Sequence, residues 1–195
     1  SILYAFVDKP IKTFVVTSPI ESEGKSSVAS NLSITYSKEH KRVILIDLDL
    51  RRPSAHKFFK INNENGITSI LAEGLPLEDA IAHTTVLGLD VLPSGPIPPD
   101  PSSLIESQKL KDIIHKLKEM YDMVVIDSPP VLAVNDAVVI GRIVDGVLLV
   151  IESGRSTFSM VEHVKELFTK ASLNTIGIVL NKFKAHKAGY YHYYY

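Results

Sequence analysis

Three short stretches of this chain carry residue types that handle phosphate. The first, Ile20-Glu21-Ser22-Glu23-Gly24-Lys25-Ser26-Ser27, follows the apolar run Phe14-Val15-Val16 and precedes a segment with helical spacing. A tight loop ending Gly-Lys-Ser between a strand and a helix turns backbone N–H groups and a helix N-terminus toward an anion. The lysine adds a point charge, and the serine hydroxyl reaches toward a magnesium ion. In the second stretch, Val43-Ile44-Leu45-Ile46-Asp47-Leu48-Asp49-Leu50-Arg51, Asp47 ends an apolar run and Asp49 and Arg51 follow just beyond. The third, Met123-Val124-Val125-Ile126-Asp127-Ser128-Pro129-Pro130, does the same for Asp127. An apolar strand ending in aspartate delivers a carboxylate to the sheet edge, where the Mg²⁺ of a bound nucleotide would lie. One such aspartate is more simply a strand terminator or a helix cap. Two of them beside a Gly-Lys-Ser loop make nucleotide binding the stronger reading.

These groups need elements to hold them. Apolar runs of strand length recur at residues 13–17, 43–46, 89–92, 123–126, 147–151 and 176–180. They are continuous rather than alternating, as in parallel strands buried on both faces. Between them, Ala29, Leu32, Ser33 and Tyr36 share a helical face, as do Leu110, Ile113, Ile114, Leu117 and Tyr121, and Val161, Val164, Leu167, Phe168 and Ala171. Alternating strands and helices predict an α/β fold with a doubly wound, mostly parallel sheet, whose ligands sit at the carboxyl ends of the strands. Residues 93–101 are rich in proline and predict an irregular ordered loop, with Ser102 or Ser103 capping the next helix and Glu106 in its first turns.

A chain of 195 residues with 45% apolar content suits one domain with a sizeable core. A net charge of −1 gives no reason to expect nucleic acid as a partner. The absence of cysteine excludes disulfides and thiolate metal sites and fits a reducing, cytoplasmic setting. No run approaches the ~18 apolar residues that span a bilayer. Residues 1–12 read as a separate N-terminal segment, trimmed or grafted, 13–184 as the catalytic domain and 185–195 as a mobile tail.

In this order, Gly24-Lys25-Ser26, the Asp47-x-Asp49-x-Arg51 run, Asp127-Ser128-Pro129-Pro130, Asn181-Lys182 and a terminal tyrosine cluster resemble the bacterial tyrosine kinases. These are P-loop autokinases with a partitioning-ATPase-like architecture that help control capsular and extracellular polysaccharide synthesis and export. The resemblance implies ATP (leaving ADP) and Mg²⁺ as cofactors. Backbone groups of Ser22, Glu23, Gly24, Lys25, Ser26 and Ser27 would wrap the phosphates, and Lys25 would neutralise the β/γ charge. Ser26, Asp49 and Asp127 would hold the metal, and Asp47 would accept the tyrosine proton. Arg51 or Arg52 would steady the phosphoryl group or pair with the aspartates, and Asn181 would contact the base. Tyr190, Tyr191, Tyr193, Tyr194 and Tyr195 would be the phosphoacceptors. Implied partners are a transmembrane chain-length adaptor that activates the kinase at the inner face of the membrane, further copies of the chain in a ring, and a tyrosine phosphatase.

Two departures stand out. Pro19 occupies the usual first glycine of G-x-x-x-x-G-K-[ST], and Glu21-Ser22 replaces the family's Pro-Gly, so Gly24 is the loop's only glycine. A strained Ser22, and Glu21 adding charge beside Glu23, would weaken nucleotide affinity. The family's Glu-x-x-Arg-x-x-Arg oligomerisation helix has no counterpart in residues 1–12. Two other functions stay open at this point: a partitioning-type ATPase, and a nucleotide-binding pseudokinase scaffold.

Overall fold

The computed structural model describes residues 11–39 and 41–183. The expected tail and residues 1–10 of the expected N-terminal segment lie outside the described residues, and with them all five candidate phosphoacceptors. Along the chain run β1 (Thr13–Thr17), α1 (Lys25–Ser37), β2 (Val43–Asp47), α2 (Ala55–Phe59), α3 (Ile67–Glu73), α4 (Leu77–Ala80), β3 (Ala82–His83) and β4 (Leu89–Leu92). Then follow α5 (Pro101–Glu106), α6 (Gln108–Met120), β5 (Met123–Asp127), α7 (Asp136–Gly141), β6 (Gly146–Glu152), α8 (Phe158–Lys170) and β7 (Thr175–Asn181). The strands form one sheet in the order β3-β4-β2-β5-β1-β6-β7, parallel except for β3 against β4.

Every residue of β1, β2 and β5 is buried, which is why these strands read as unbroken apolar runs. One face of the sheet packs Val15, Ile44, Ile46, Val124 and Ile126 under α6, α7 and α8, through Leu110, Leu117, Ile140, Val164 and Phe168. The other packs Phe14, Val16, Leu45 and Val125 under α1, through Ala29 and Tyr36. Register does the rest. Val16 pairs with Asp127 and Asp47 pairs with Asp127, so the exit of β1 and two of the three aspartates meet at one carboxyl edge.

The helix following the proline-rich loop starts differently from the expectation. Asp100, not Ser102 or Ser103, accepts the Ser103 N–H at 3.3 Å, and Pro101 takes the first helical position, where its missing N–H costs nothing. Glu106 therefore ends α5, and Ser107 starts α6 by accepting from Leu110 N at 3.2 Å.

Asp145 ties the opposite end of the sheet. Its Oδ2 accepts from Lys12 N at 3.0 Å and Thr13 N at 2.9 Å, and its Oδ1 pairs with Lys118. Partial burial opposes its charge, but Lys118 and the two N–H groups outweigh this and hold its pKa below the ordinary value. With the native pKa lowered, the stabilisation is complete above the ordinary aspartate range and is lost as pH falls through it. Asp145→Ala should cost ~1–2 kcal/mol at pH 7, the group being partly exposed, with the deficit shrinking in acid. Urea unfolding at pH 7 and pH 3 measures both.

Candidate functional site

The loop between β1 and α1 holds its shape although it has one glycine. Gly24 sits at φ 94° and caps α1 without a side chain, leaving the first-turn N–H groups facing outward. A Cβ at position 24 would strike the side-chain amide of Asn181. That amide donates to the Glu23 carbonyl at 2.9 Å, and Lys182 Nζ donates to the Ser22 carbonyl at 2.7 Å. Residues at the end of β7 thus strap the loop from one side. Glu23 fastens it from within: its buried carboxylate accepts from Ile20 N at 3.1 Å, Glu152 N at 3.3 Å and the Ser156 hydroxyl.

Two charges expected to crowd the phosphates are therefore already employed elsewhere. Glu23 points inward, and Glu21 forms an ion pair with Arg52. Ser22 does adopt a left-handed backbone, with φ 66°. This strain is of order 1–2 kcal/mol for a residue with a Cβ. Because glycine would relieve the strain but lose more chain entropy on folding, Ser22→Gly should change stability by less than ~1 kcal/mol. Nucleotide affinity should stay equal or improve. Thermal unfolding and nucleotide titration of the variant check this.

Lys25, the first residue of α1, projects into a cluster of acids. Its Nζ lies 2.7 Å from Asp49 Oδ2, 3.8 Å from Asp127 Oδ1 and 3.3 Å from Ser26 Oγ. Burial works against its charge, but Asp127, Asp49 and Asp47 outweigh it and raise its pKa above the ordinary lysine value. Asp49 is itself fixed by accepting from Arg52 N at 3.0 Å.

The two strand-end aspartates differ sharply. The resemblance makes Asp47 the proton acceptor beside the terminal phosphate. It is fully buried, with Oδ1 accepting from Asp49 N at 3.2 Å and Oδ2 from Ser54 N and Ala55 N at 2.8 and 2.9 Å. It pins the turn that carries Asp49, and to take a proton it would have to loosen that turn. Burial raises its pKa against the pull of these N–H groups. Asp127 is just as buried, yet neither carboxylate oxygen has a hydrogen-bond partner. Burial, reinforced by Asp47 and Asp49, pushes its pKa up to about 7 although Lys25 and the nearby Ser26 hydroxyl pull it down.

An orphaned buried carboxylate costs free energy unless something binds it. Hard oxygens from Asp127, Asp49 and the Ser26 hydroxyl are the donor type that Mg²⁺ takes when phosphates and water complete its shell. The residues present fit that ion.

Arg51 does not join the cluster. Its guanidinium donates to Ser102 Oγ at 2.9 Å and lies 3.6 Å from Asp136, so neither Arg51 nor Arg52 pairs with the three aspartates. Ser27 is exposed on the outer side of α1, and Asn181 stands against the loop as its brace. A cavity of about 700 Å³ opens over Lys25, Ser26 and Asp49. Its far wall is Pro129, Pro130, Leu132, Ala133 and Val134, and Arg155 stands at its rim. Neither the wall nor Arg155 stood out in the sequence. The Pro-Pro pair after Asp127 was the one available signal. Lys182 was part of the resemblance, but its strap on the loop carries no sequence signature.

A family model described as an AAA domain matches residues 22–172. The tyrosine-protein kinase YwqD of Bacillus subtilis is 39% identical, the match covering 100% of this chain and 82% of that one. CapB of Staphylococcus aureus, described as a putative tyrosine-protein kinase, is 37% identical over 100% of this chain and 86% of its own. Among solved structures, the kinase domain of the Escherichia coli tyrosine kinase ETK superposes with a TM-score of 0.90 at 32% identity, covering 98% of this chain and 75% of that one. MinD of Pyrococcus horikoshii, solved with Mg-ADP, gives a TM-score of 0.77 at 25% identity, covering 90% and 72%. The fold is that of the P-loop NTPases, and the lysine and aspartates lie at the sheet edge where that fold binds its ligand. On these matches, which span nearly the whole of its length, the chain belongs to the bacterial tyrosine-protein kinases.

Proposed function

We propose that this protein is an ATP- and Mg²⁺-dependent autokinase that phosphorylates its own C-terminal tyrosines, Tyr190, Tyr191, Tyr193, Tyr194 and Tyr195. The observation that carries the reading is the buried Lys25–Asp49 pair facing Asp127, whose carboxylate oxygens have no hydrogen-bond partner, under a phosphate-binding loop. Lys25 exchanges Asp49 for the β/γ-phosphate oxygens when nucleotide enters, and the first turn of α1 and the backbone of Ser22 to Ser27 hold the phosphates. Ser26, Asp49 and Asp127 would hold Mg²⁺, which when bound offsets charge on the phosphate oxygens. The phenolic oxygen bonds to the γ-phosphorus as the bond to the β–γ bridging oxygen breaks; ADP leaves, and the proton passes to the aspartate cluster. Because the transition state is loose, positioning and charge outweigh proton abstraction. That suits an Asp47 that organises the Asp49 turn. Asn181, beside the loop, is proposed to contact the base.

Regulation of capsular or extracellular polysaccharide synthesis follows from the family resemblance, as do a membrane-embedded activator, ring assembly through tails and a counteracting phosphatase. Each phosphate on the tail adds ~1.5–2 negative charges, so several together would repel one another and the acidic site. The pseudokinase alternative, which rests on Glu21 and Ser22, loses the first of these supports, since Glu21 is paired with Arg52, while Ser22 keeps its left-handed backbone.

Incubation with γ-labelled ATP and Mg²⁺, with and without an activator's cytosolic peptide, tests the reading. Label should enter the wild type, and be lost in Lys25→Met and in a variant with all five tail tyrosines changed to phenylalanine. Label persisting in both variants would overturn it, and phosphate release without labelled protein would point to an ATPase.

A further inference from the structure

The cavity over Lys25 is larger than phosphate handling needs, and its second wall is chemically unlike the first. One side presents Lys25, Ser26 and Asp49; the other is an apolar face built by Pro129, Pro130, Leu132 and Val134. We propose that this face is the acceptor shelf, seating the phenol ring of a tyrosine from the chain's own C-terminal segment so that its hydroxyl meets the terminal phosphate. The inference rests on the autokinase reading above and deepens it by naming what selects tyrosine.

Rigidity is the first argument. The shelf is sewn to the edge of β1 and to the phosphate loop: Ser128 N donates to the Val16 carbonyl at 3.2 Å, Val131 N to that of Ser18 at 2.9 Å and Leu132 N to that of Pro19 at 3.2 Å. Thr17 Oγ1 adds a bond to the Pro129 carbonyl at 2.8 Å. Shelf and phosphate loop therefore keep a fixed separation, and a ring lying on the shelf holds its hydroxyl at a set distance from the phosphates. Serine and threonine carry their hydroxyls on Cβ and could not rest on the shelf and reach across together.

Polarity is the second. The nucleotide's base is assigned to the other flank of the loop, beside Asn181, which does not line this cavity. An apolar wall beside a triphosphate offers nothing to the phosphates, whereas an aromatic ring gains from burial there.

Charge and reach are the third. Arg51, Arg52 and Arg155 also line the cavity, each held by a carboxylate: Asp136, Glu21 and Glu152. Arginines so placed can exchange those partners for an anionic group on the incoming segment, and a phosphotyrosine beside the next acceptor is such a group. Asn181, the last residue of β7, and Lys182 touch the phosphate loop, and residues 184–195 follow them closely in sequence. Tyr190 follows Phe183 by seven residues, an extended reach of ~25 Å. An acceptor from the same copy or from a neighbour would meet the same shelf.

The test uses the full chain with its five tail tyrosines changed to phenylalanine, so that an added peptide of residues 185–195 is the sole acceptor. In that background Leu132→Ala, which deletes ring-facing carbons, should raise the peptide KM about tenfold or more. The KM for ATP should stay within about twofold, since the phosphate side is untouched. Leu132→Met, which keeps the volume, should restore the peptide KM, separating lost ring contact from general damage. A peptide phosphorylated at one tyrosine should bind more tightly than the plain one, and Arg155→Ala should remove that difference. A peptide KM unchanged by Leu132→Ala, or a parallel rise in both KM values that Leu132→Met does not repair, overturns the shelf. Absence of peptide phosphorylation in the unsubstituted background, with the activator's cytosolic peptide present, overturns the kinase reading itself and the shelf with it.

Discussion

Replacing Lys25 with methionine should abolish phosphoryl transfer and also weaken the fold. The catalytic loss follows from removing a buried cation aimed at the phosphates, worth about 10²–10³-fold or more. The structural loss is less obvious. Lys25 is the cation facing Asp49 at 2.7 Å and Asp127 at 3.8 Å, in a site where Asp47 is also buried. Methionine of similar length leaves these acids uncompensated, and breaking a buried pair by removing one partner costs ~3 kcal/mol or more. Uptake of a proton by Asp127 caps the cost. For a chain of this size the melting temperature should fall by ~6–12 °C. Thermal unfolding without nucleotide, beside the labelled-ATP assay, checks both. Full stability in the inactive variant would mean that the ion pair contributes nothing to the fold. Lys25→Arg should keep most of the stability while losing activity, because a planar guanidinium cannot replace a point charge between phosphates.

How much of this was legible depends on where each signal resides. The six main strands were readable because strands buried on both faces leave unbroken apolar runs, as Val43 to Ile46 and Val124 to Ile126 do. β3 was not, since two residues, Ala82 and His83, carry no pattern. The start of α5 was misplaced because serine and aspartate are both good caps, and backbone geometry chose Asp100. At the site, motif spacing located Lys25, Asp47, Asp49 and Asp127 but could not apportion their work. Asp47 and Asp127 look alike as strand-end aspartates. Their fates diverge because β2 is followed by a tight turn whose N–H groups fold back onto Asp47, whereas β5 leads into Pro129-Pro130, which has no N–H to offer. Glu21 looked damaging because its partner, Arg52, is distant in sequence and adjacent in space.

That divergence makes Asp127→Asn the sharper test, because it should move activity and stability in opposite directions. Activity should fall as steeply as for Lys25→Met, since a metal-holding carboxylate is gone. The nucleotide-free protein, however, should become more stable at pH 8. Both Asp127 oxygens are buried without hydrogen-bond partners and its pKa is pushed up to about 7, so above that pH the native state holds an ionised group it solvates poorly. Here the native pKa exceeds the unfolded one. The native state keeps a proton that the unfolded chain has released, stability falls as pH rises from about 4 to 7, and the full penalty is present above that range. Asparagine removes the charge but brings an amide that must itself find partners beside Lys25, so the net gain should be ~1–2 kcal/mol at pH 8. The gain should vanish near pH 5, where Asp127 is already protonated in the native state. Adding MgATP reverses the ranking: the wild type gains stability through binding, by an amount that grows with ligand concentration, and the variant gains little. Melting curves at pH 5 and pH 8, with and without MgATP, test all four corners. A variant less stable than the wild type at pH 8 without ligand would show that the Lys25–Asp127 attraction outweighs the cost of burying the carboxylate. The orphaned oxygens would then lose their claim to mark the metal site. The predicted crossing, in contrast, would identify Asp127 as a group kept at the expense of the empty fold because the loaded site requires it.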